Sequence, residues 1–369
     1  MDFKNIPYIT IPEGPVKSIK VGSTQIWERA HIYGVNWAGG TAATMTRTDD
    51  ASSFSAPKIG TGTTKGSSSF DNCYPWKDMS VETISGNVLV KIPKFWFKWT
   101  KSGTTMKLQI ADKPVNGFLV SPMHQDRGDG KGERDYAYIG RHKCNSSYKS
   151  VSGQSPIFSK TIDACRTGIK NLGTGFYQED YAAFWTIRML ALVEFATWNL
   201  PSVLLSTTNY DTVANIKTGN VTAMTYHTGV SANKYSFQYR YIEDLWINGL
   251  EWLDGLYYSG TSVYCINNPT KFAVGSNGTK IGTRPTTTGF ISSWTIPTSS
   301  NFKWALIPAA TTTNESYTYD GYYYQSTGTV AYIGGARTLL PVHGPFFLYT
   351  DFTNTSTSTV ITSRLMYLP

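Results

Sequence analysis

Between residues 86 and 99 the chain reads GNVLVKIPKFWFKW, apolar and polar positions alternating up to Pro93 and again beyond it. That period predicts two strands hinged at the proline. MKLQIA (106–111) and DYAYIGRHK (135–143) predict more of the same. The period then changes. In TIDACRTGIKNLG (161–173) a Thr161 cap and a Gly173 stop bracket a helix with Ile162, Cys165, Ile169 and Leu172 on one face. A second helix is predicted from about Asp180 to before Pro201, with Phe184, Ile187, Ala191, Phe195 and Trp198 at helical spacing. It is apolar almost all round, which places it at the centre of the fold. Its length would span a bilayer, but Arg188 and Glu194 within it mark a core helix. After it the pattern breaks into short strands and long loops, with FKWAL (302–306) as a core strand burying Trp304 and SRLMYLP as the last strand. At the other end, YITI, a PEGP turn, VKSIKV and TQIW predict three short strands. A unit this small buries little core alone, so residues 1–30 are expected to pack on a partner. The pattern as a whole predicts an α+β protein: two helices among many short strands.

Composition sharpens this. Of 369 residues, 14% are aromatic and only 16% charged, against roughly 25% charged in average soluble domains. Gly, Thr, Ser and Tyr fill the difference. The formal charge of +8 is unevenly spread: residues 304–363 hold one basic residue, Arg337, against Glu315, Asp320 and Asp351. No Lys/Arg run of nucleic-acid type occurs, so the excess reads as solvated surface and no nucleic-acid partner is expected. Cys73, Cys144, Cys165 and Cys265 are far apart, without a CxxC pair, and are expected as free thiols. The opening MDFKNIPYITIPEGP lacks the pattern of a secretion signal, and the expectation is a soluble product made in the cytoplasm.

Little of the sequence suggests chemistry. The histidines (His31, His124, His142, His227, His343) are dispersed, with no HExxH and no GxSxG elbow. GTGTTKGSSSF (60–70) has the wrong spacing to Lys65 for a phosphate loop. Asp126, Asp129 and Glu133 in QDRGDGKGERD (125–135) miss the EF-hand register and read as a polar loop. No catalytic residue, metal or cofactor is expected. Paired carboxylates of the glycosidase kind come from distant positions and stay open at this level.

YRYIEDLWINGLEWLDGL (239–256) is the most diagnostic stretch. Its Trp246, Asn248, Gly249, Glu251 and Trp252 resemble the GNVWEW core motif of C-type-lectin-like folds related to formylglycine-generating enzymes. KPVNGFLVSPMHQDRGDGKGERDYAYIGRHK (113–143), WTIRMLALVEFATWN (185–199) and HIYGVNWAGGTAATMTRTDDA (31–51) resemble phage tail-fibre proteins of that fold. The N-terminal stretch is similar to their short attachment modules. The resemblance implies an attachment module at 1–30, a β-rich lead-in at 31–112 and a C-type-lectin-like domain at 113–369. It further implies a virion protein, assembled in the host cytoplasm as a homotrimer, without enzyme activity or membrane insertion. Such a protein contacts other tail or baseplate proteins through its N-terminal module and a bacterial surface glycan or protein through its C-terminal loops. The calcium-site and paired-cysteine signatures of the lectin and oxidase branches are missing. Physically, Trp246 and Trp252 are core-building residues, with Glu251 expected to satisfy backbone donors.

ESYTYDGYYYQSTGTVAYIGGAR (315–337) holds Tyr317, Tyr319, Tyr322, Tyr323, Tyr324 and Tyr332 among Ser, Thr, Gly and Asp. Paratopes share that composition, since tyrosine gives large contact area with few rotatable bonds. TDFTNTSTSTVITS (350–363) repeats it without tyrosines and adds Asn354 and Thr355. In retroelement-diversified relatives the variable positions lie near the C-terminus, so the resemblance implies a ligand surface here. Three consecutive strand residues cannot all face inward, so at least one of Tyr322–Tyr324 must be presented. Replacing all three by Ala is expected to abolish host binding while the fold persists. The alternative is a baseplate or decoration protein using the same loops between subunits.

Overall fold

The second helix organises the molecule. In a computed structural model, describing residues 9–11, 14–16, 18–21, 24–204, 217–233, 235–273, 278–318, 320–335 and 344–369, helix α1 spans Ile162–Lys170 and α2 spans Tyr181–Phe195. All fifteen residues of α2 are buried. The Asp180 carboxylate accepts the Ala183 N–H at 2.8 Å and caps its first turn. The helix stops one turn earlier than its spacing suggests. Ala196 turns left-handed (φ 54°) and its N–H returns to the Leu192 carbonyl. Trp198 therefore lies outside the helix, yet is fully buried.

Two curved sheets pack through α2. One is antiparallel, in the order Leu119–Val120, Trp96–Ser102, Thr105–Ala111, Ile32–Trp37, Thr46–Asp49. The other runs Thr279–Thr283, Ser262–Cys265, Leu250–Ser259, Val330–Ile333, Leu348–Thr350, Gly321–Tyr324, Gly289–Thr295, Ile307–Thr312, with Ile361–Thr362 beside Leu250. The α2 helix packs on Ile32–Trp37 and Thr105–Ala111 of the first and on Leu250–Ser259 of the second. Trp198 joins their aromatic faces: its ring lies 5.7 Å from Trp37, 6.5 Å from Trp99, 5.6 Å from Trp294 and 4.9 Å from Phe346. One core cluster thus runs from Tyr33 to Leu368, and the 31–112 stretch is part of the main body.

A third sheet orders Phe176–Gln178, Leu365–Tyr367, Tyr136–Gly140, Asn87–Pro93 and Ser80–Ile84, so the C-terminal strand closes against the first half of the chain. Pro93 ends one strand and Trp96 begins the next, the predicted hinge. Two expectations need correction. The N-terminal region forms four short strands rather than three, as hairpins Ile9–Ile11 with Gly14–Val16 and Ser18–Val21 with Thr24–Glu28. FKWAL is not a strand: Ser300–Phe302 is a 3-10 turn and Trp304 is buried with its indole N–H on the Asn301 carbonyl at 2.9 Å. A short apolar run buries equally well in either geometry, and period alone cannot separate them.

Candidate ligand-binding face

The second sheet carries a row of aromatic rings across four neighbouring strands. Trp252 is in register with Tyr332, Tyr332 with Tyr349, and Tyr349 with Tyr323. Their centroids are spaced 5.6, 4.5 and 6.1 Å apart, the middle pair stacked within 7° of parallel. Residues in register on paired strands share a face. Each ring is therefore held by backbone pairing and by its neighbours. Phe352 adds a ring 5.2 Å from Tyr332, and Phe347 one 4.3 Å from Tyr349. The inner end is sealed, with Trp252 fully buried and its indole N–H donating to the Lys160 carbonyl at 3.0 Å, just before α1. The outer end is open: Tyr323 is 39% exposed.

Alternation sends Tyr322 to the opposite face, where it is buried in the main core with Leu348 and Ile333. Tyr324 is half-buried against that core. The Arg284 guanidinium lies 4.9 Å from its ring centre and 4.5 Å from that of Tyr258. Arg284 also donates to the Gly260, Thr350, Gln325 and Gly328 carbonyls, fixing the turn after Tyr324. Of the candidate contact residues, Tyr323 and Thr355 are exposed, and Tyr317, Tyr324 and Asn354 are partly so. Tyr322 and Tyr332 are buried and present no side-chain surface. A triple alanine variant of Tyr322–Tyr324 would accordingly open the core, against the expectation that its fold persists. Tyr319 lies outside the described residues, as do Arg337 and His343.

The polar segment that follows Tyr349 is tied down at several points. The Tyr332 hydroxyl donates to Asp351 at 2.8 Å. Burial pushes the Asp351 carboxyl above its usual range, opposed by that hydrogen bond. Asn354 donates to the Asp163 carboxylate of α1 at 2.9 Å, and the Thr353 N–H donates to Ser356 Oγ at 3.1 Å. Thr355, Thr357 and Thr359 remain exposed. The result is one presented phenol backed by a rigid ring row, with small hydroxyl side chains on the adjoining segment. Tyr349, Asp351 and Phe352 escaped the sequence reading. The signal for Tyr349 and Asp351 was the alternation in PFFLYTDF (345–352), where Phe347, Tyr349 and Asp351 fall on one side and Phe346, Leu348 and Thr350 on the other.

The motif residues other than Trp252 sit behind this face. Trp246 is buried 4.3 Å from Phe237. Asn248 (φ 60°) donates to Asp244, and Gly249 takes φ 115°. Glu251 does not serve backbone donors. It binds the Arg364 guanidinium at 2.8 Å and the Lys143 ammonium, because these buried cations need a counter-charge more than the neighbouring amides need acceptors. Arg364 also donates to the Gly140 and Glu243 carbonyls, tying the last strand to the motif. Burial, then the nearby Glu251, pushes the Glu179 carboxyl far up, against the pull of Arg188 and Arg364. Burial would also raise Glu251, but Arg364 and Lys143 outweigh it and hold it well below its usual value. Both carboxyls are buried.

Among the described residues no three His, Cys, Asp or Glu side chains gather as a metal site. In the 125–135 loop Asp129 is engaged with Arg134 and Asp126 with the Gly128 N–H, while Glu133 and Asp135 pair with Lys94. The four cysteines are free and buried. No helix of the described residues is long and apolar enough to cross a membrane. No protein-family model and no curated protein sequence matches the chain.

Proposed function

We propose that this chain is a phage tail-fibre or receptor-binding protein with a C-type-lectin-like body, recognising a bacterial surface ligand through Tyr323 and the 351–359 segment. The observation that carries the reading is the ring row Trp252–Tyr332–Tyr349–Tyr323, which ends in an exposed phenol and adjoins a segment of exposed Thr side chains. A pre-ordered aromatic loses little entropy on binding, and hydroxyl neighbours adapt to a glycan or peptide. The buried Trp246–Trp252 motif and the two-helix α+β body agree with the resemblance that suggested the fold. On this reading the N-terminal hairpins dock to other tail or baseplate proteins, and trimeric, multi-copy display multiplies modest single-site affinity.

The test is a pull-down of purified protein on a panel of bacterial strains, with Tyr323→Ala and Thr355→Ala variants of unchanged circular dichroism. Strain-selective binding lost in the variants is expected. Unchanged binding by both variants would overturn the site.

One observation favours a second reading, contact between subunits of a baseplate or decoration protein. Among the described large apolar side chains only Tyr136, Tyr323 and Val360 are exposed, and two of these lie in the C-terminal region. An oligomer that dissociates on Tyr323→Ala, with no strain bound by the wild type, would establish it.

A further inference from the structure

A cleft of about 640 Å3 shares no lining residue with the tyrosine face. Trp96 and Phe118 line it together with Arg127, Asp126, Asn267 and Glu133. Two polar atoms of this lining are buried without a partner among the described residues: Arg127 Nη1 and Asn267 Oδ1. Arg127 is 1% exposed and locked, its Nε donating to the Asn267 carbonyl at 2.7 Å and its Nη2 to the Asp180 carboxylate that caps α2. The Asn267 amide donates to the Asp126 carbonyl at 3.2 Å, which fixes where Oδ1 points. A surplus donor and a surplus acceptor therefore stand on two residues bonded to each other. Buried polar groups are almost always satisfied, and an unmet pair in a cleft marks what a ligand would supply.

The required ligand presents one donor and one acceptor close together, and an apolar face for an indole. Neighbouring hydroxyls of a sugar ring each donate and accept, and the ring's C–H face is apolar. The charge balance selects among sugars. Arg127 is already neutralised by Asp180, and Lys94 beside the cleft by Glu133 and Asp135, while Asp126 adds a carboxylate to the lining. Among the described residues no unpaired cation lines the cleft, which disfavours uronates, sialylated sugars and phosphates. We infer that this cleft binds one ring of a neutral saccharide, stacked on Trp96 with vicinal hydroxyls meeting Arg127 Nη1 and Asn267 Oδ1. The site is independent of the proposed receptor face.

The experiment is saturation-transfer NMR of the full chain with methyl glucoside, methyl galactoside and methyl mannoside, beside glucuronate and galacturonate. Transfer to at least one neutral hexoside and none to the uronates is expected. Affinity should fall by about tenfold or more in Trp96→Ala. Asn267→Leu, which removes the acceptor at similar shape, should fall likewise and serves if Trp96→Ala does not fold. Tyr323→Ala should leave the signal intact, so failure of the receptor face and failure of the cleft are read separately. No transfer from any neutral hexoside, equal transfer in both cleft variants, or preference for uronates overturns the inference.

Discussion

The ring of Tyr332 stacks on that of Tyr349, 4.5 Å away and 7° from parallel, while the Tyr332 hydroxyl donates to Asp351 two residues beyond its stacking partner. One side chain thus fixes both the ring row and the start of the polar segment. At the outer end of the row, beyond Tyr349, Tyr323 has an exposed phenol. Two tyrosines nine residues apart in sequence therefore have opposite duties.

Replacing Tyr332 by Ala should cost about 3–5 kcal/mol, the range for truncating a buried aromatic. Tyr323→Ala should cost within about 1 kcal/mol, because its ring is well exposed. Urea unfolding of the two variants checks this. Equal losses would mean that Tyr323 is a core residue and that the face has no presented phenol.

The assignment of charge behind the motif is testable by two isosteric changes. Glu251→Gln strips the counter-charge from Arg364 and Lys143, an expected loss of about 3–5 kcal/mol. Glu179→Gln replaces a carboxyl whose charged form is disfavoured by burial and by Glu251, and should cost about 1 kcal/mol or less. The sign with pH follows from Glu251 being held below its ordinary value of 4.5: its contribution is present above that pH and fades as pH falls. Similar losses in both variants at pH 7 would show that Glu179 is charged as well.

Much of this architecture was legible because it rests on period and caps. Thr161 and Asp180 cap the helices where the pattern placed them, and Pro93 ends its strand. The stop of α2 was not legible, since Ala196 adopts a left-handed turn that no glycine announces. Alternation predicted that a strand through Tyr322–Tyr324 must present at least one ring, but not which one. That choice depends on register against Leu348–Thr350, a partner more than twenty residues away. Glu251 was misread for a similar reason: its partners Lys143 and Arg364 come from opposite ends of the domain.

His124 offers a pH test outside the candidate face. It is fully buried, with Nε2–H donating to the Ile92 carbonyl at 2.9 Å and Nδ1 accepting from the Ser121 hydroxyl at 2.6 Å. Burial drives its pKa down to about 4 from 6.5, against the pull of the Ile92 carbonyl. Below pH 6.5 the unfolded chain takes the proton first, so stability should fall as pH drops from 6.5 towards 4. The full loss is about 3 kcal/mol. Denaturation midpoints across that window should slope less in His124→Gln. Parallel slopes would mean that the imidazole is protonated in the folded state.

The last prediction concerns the backbone of the motif. Gly249 has φ 115°, a region L side chains rarely adopt, and a Cβ there would lie 3.0 Å from Phe158 and 3.2 Å from the Thr362 side chain. Lys143 also donates to the Gly249 carbonyl at 3.1 Å, so the peptide cannot rotate away without stripping a bond from a buried ammonium. Gly249→Ala combines backbone strain of about 1–3 kcal/mol with crowding, and should cost more than about 2 kcal/mol in urea unfolding. Gly260 is the internal control: it too has positive φ, 54°, but a Cβ there meets nothing within 4 Å. Gly260→Ala should therefore lose only the strain. If the two variants unfold at the same urea concentration, crowding against Phe158 and Thr362 contributes nothing, and glycine at 249 is required for its dihedral angle alone.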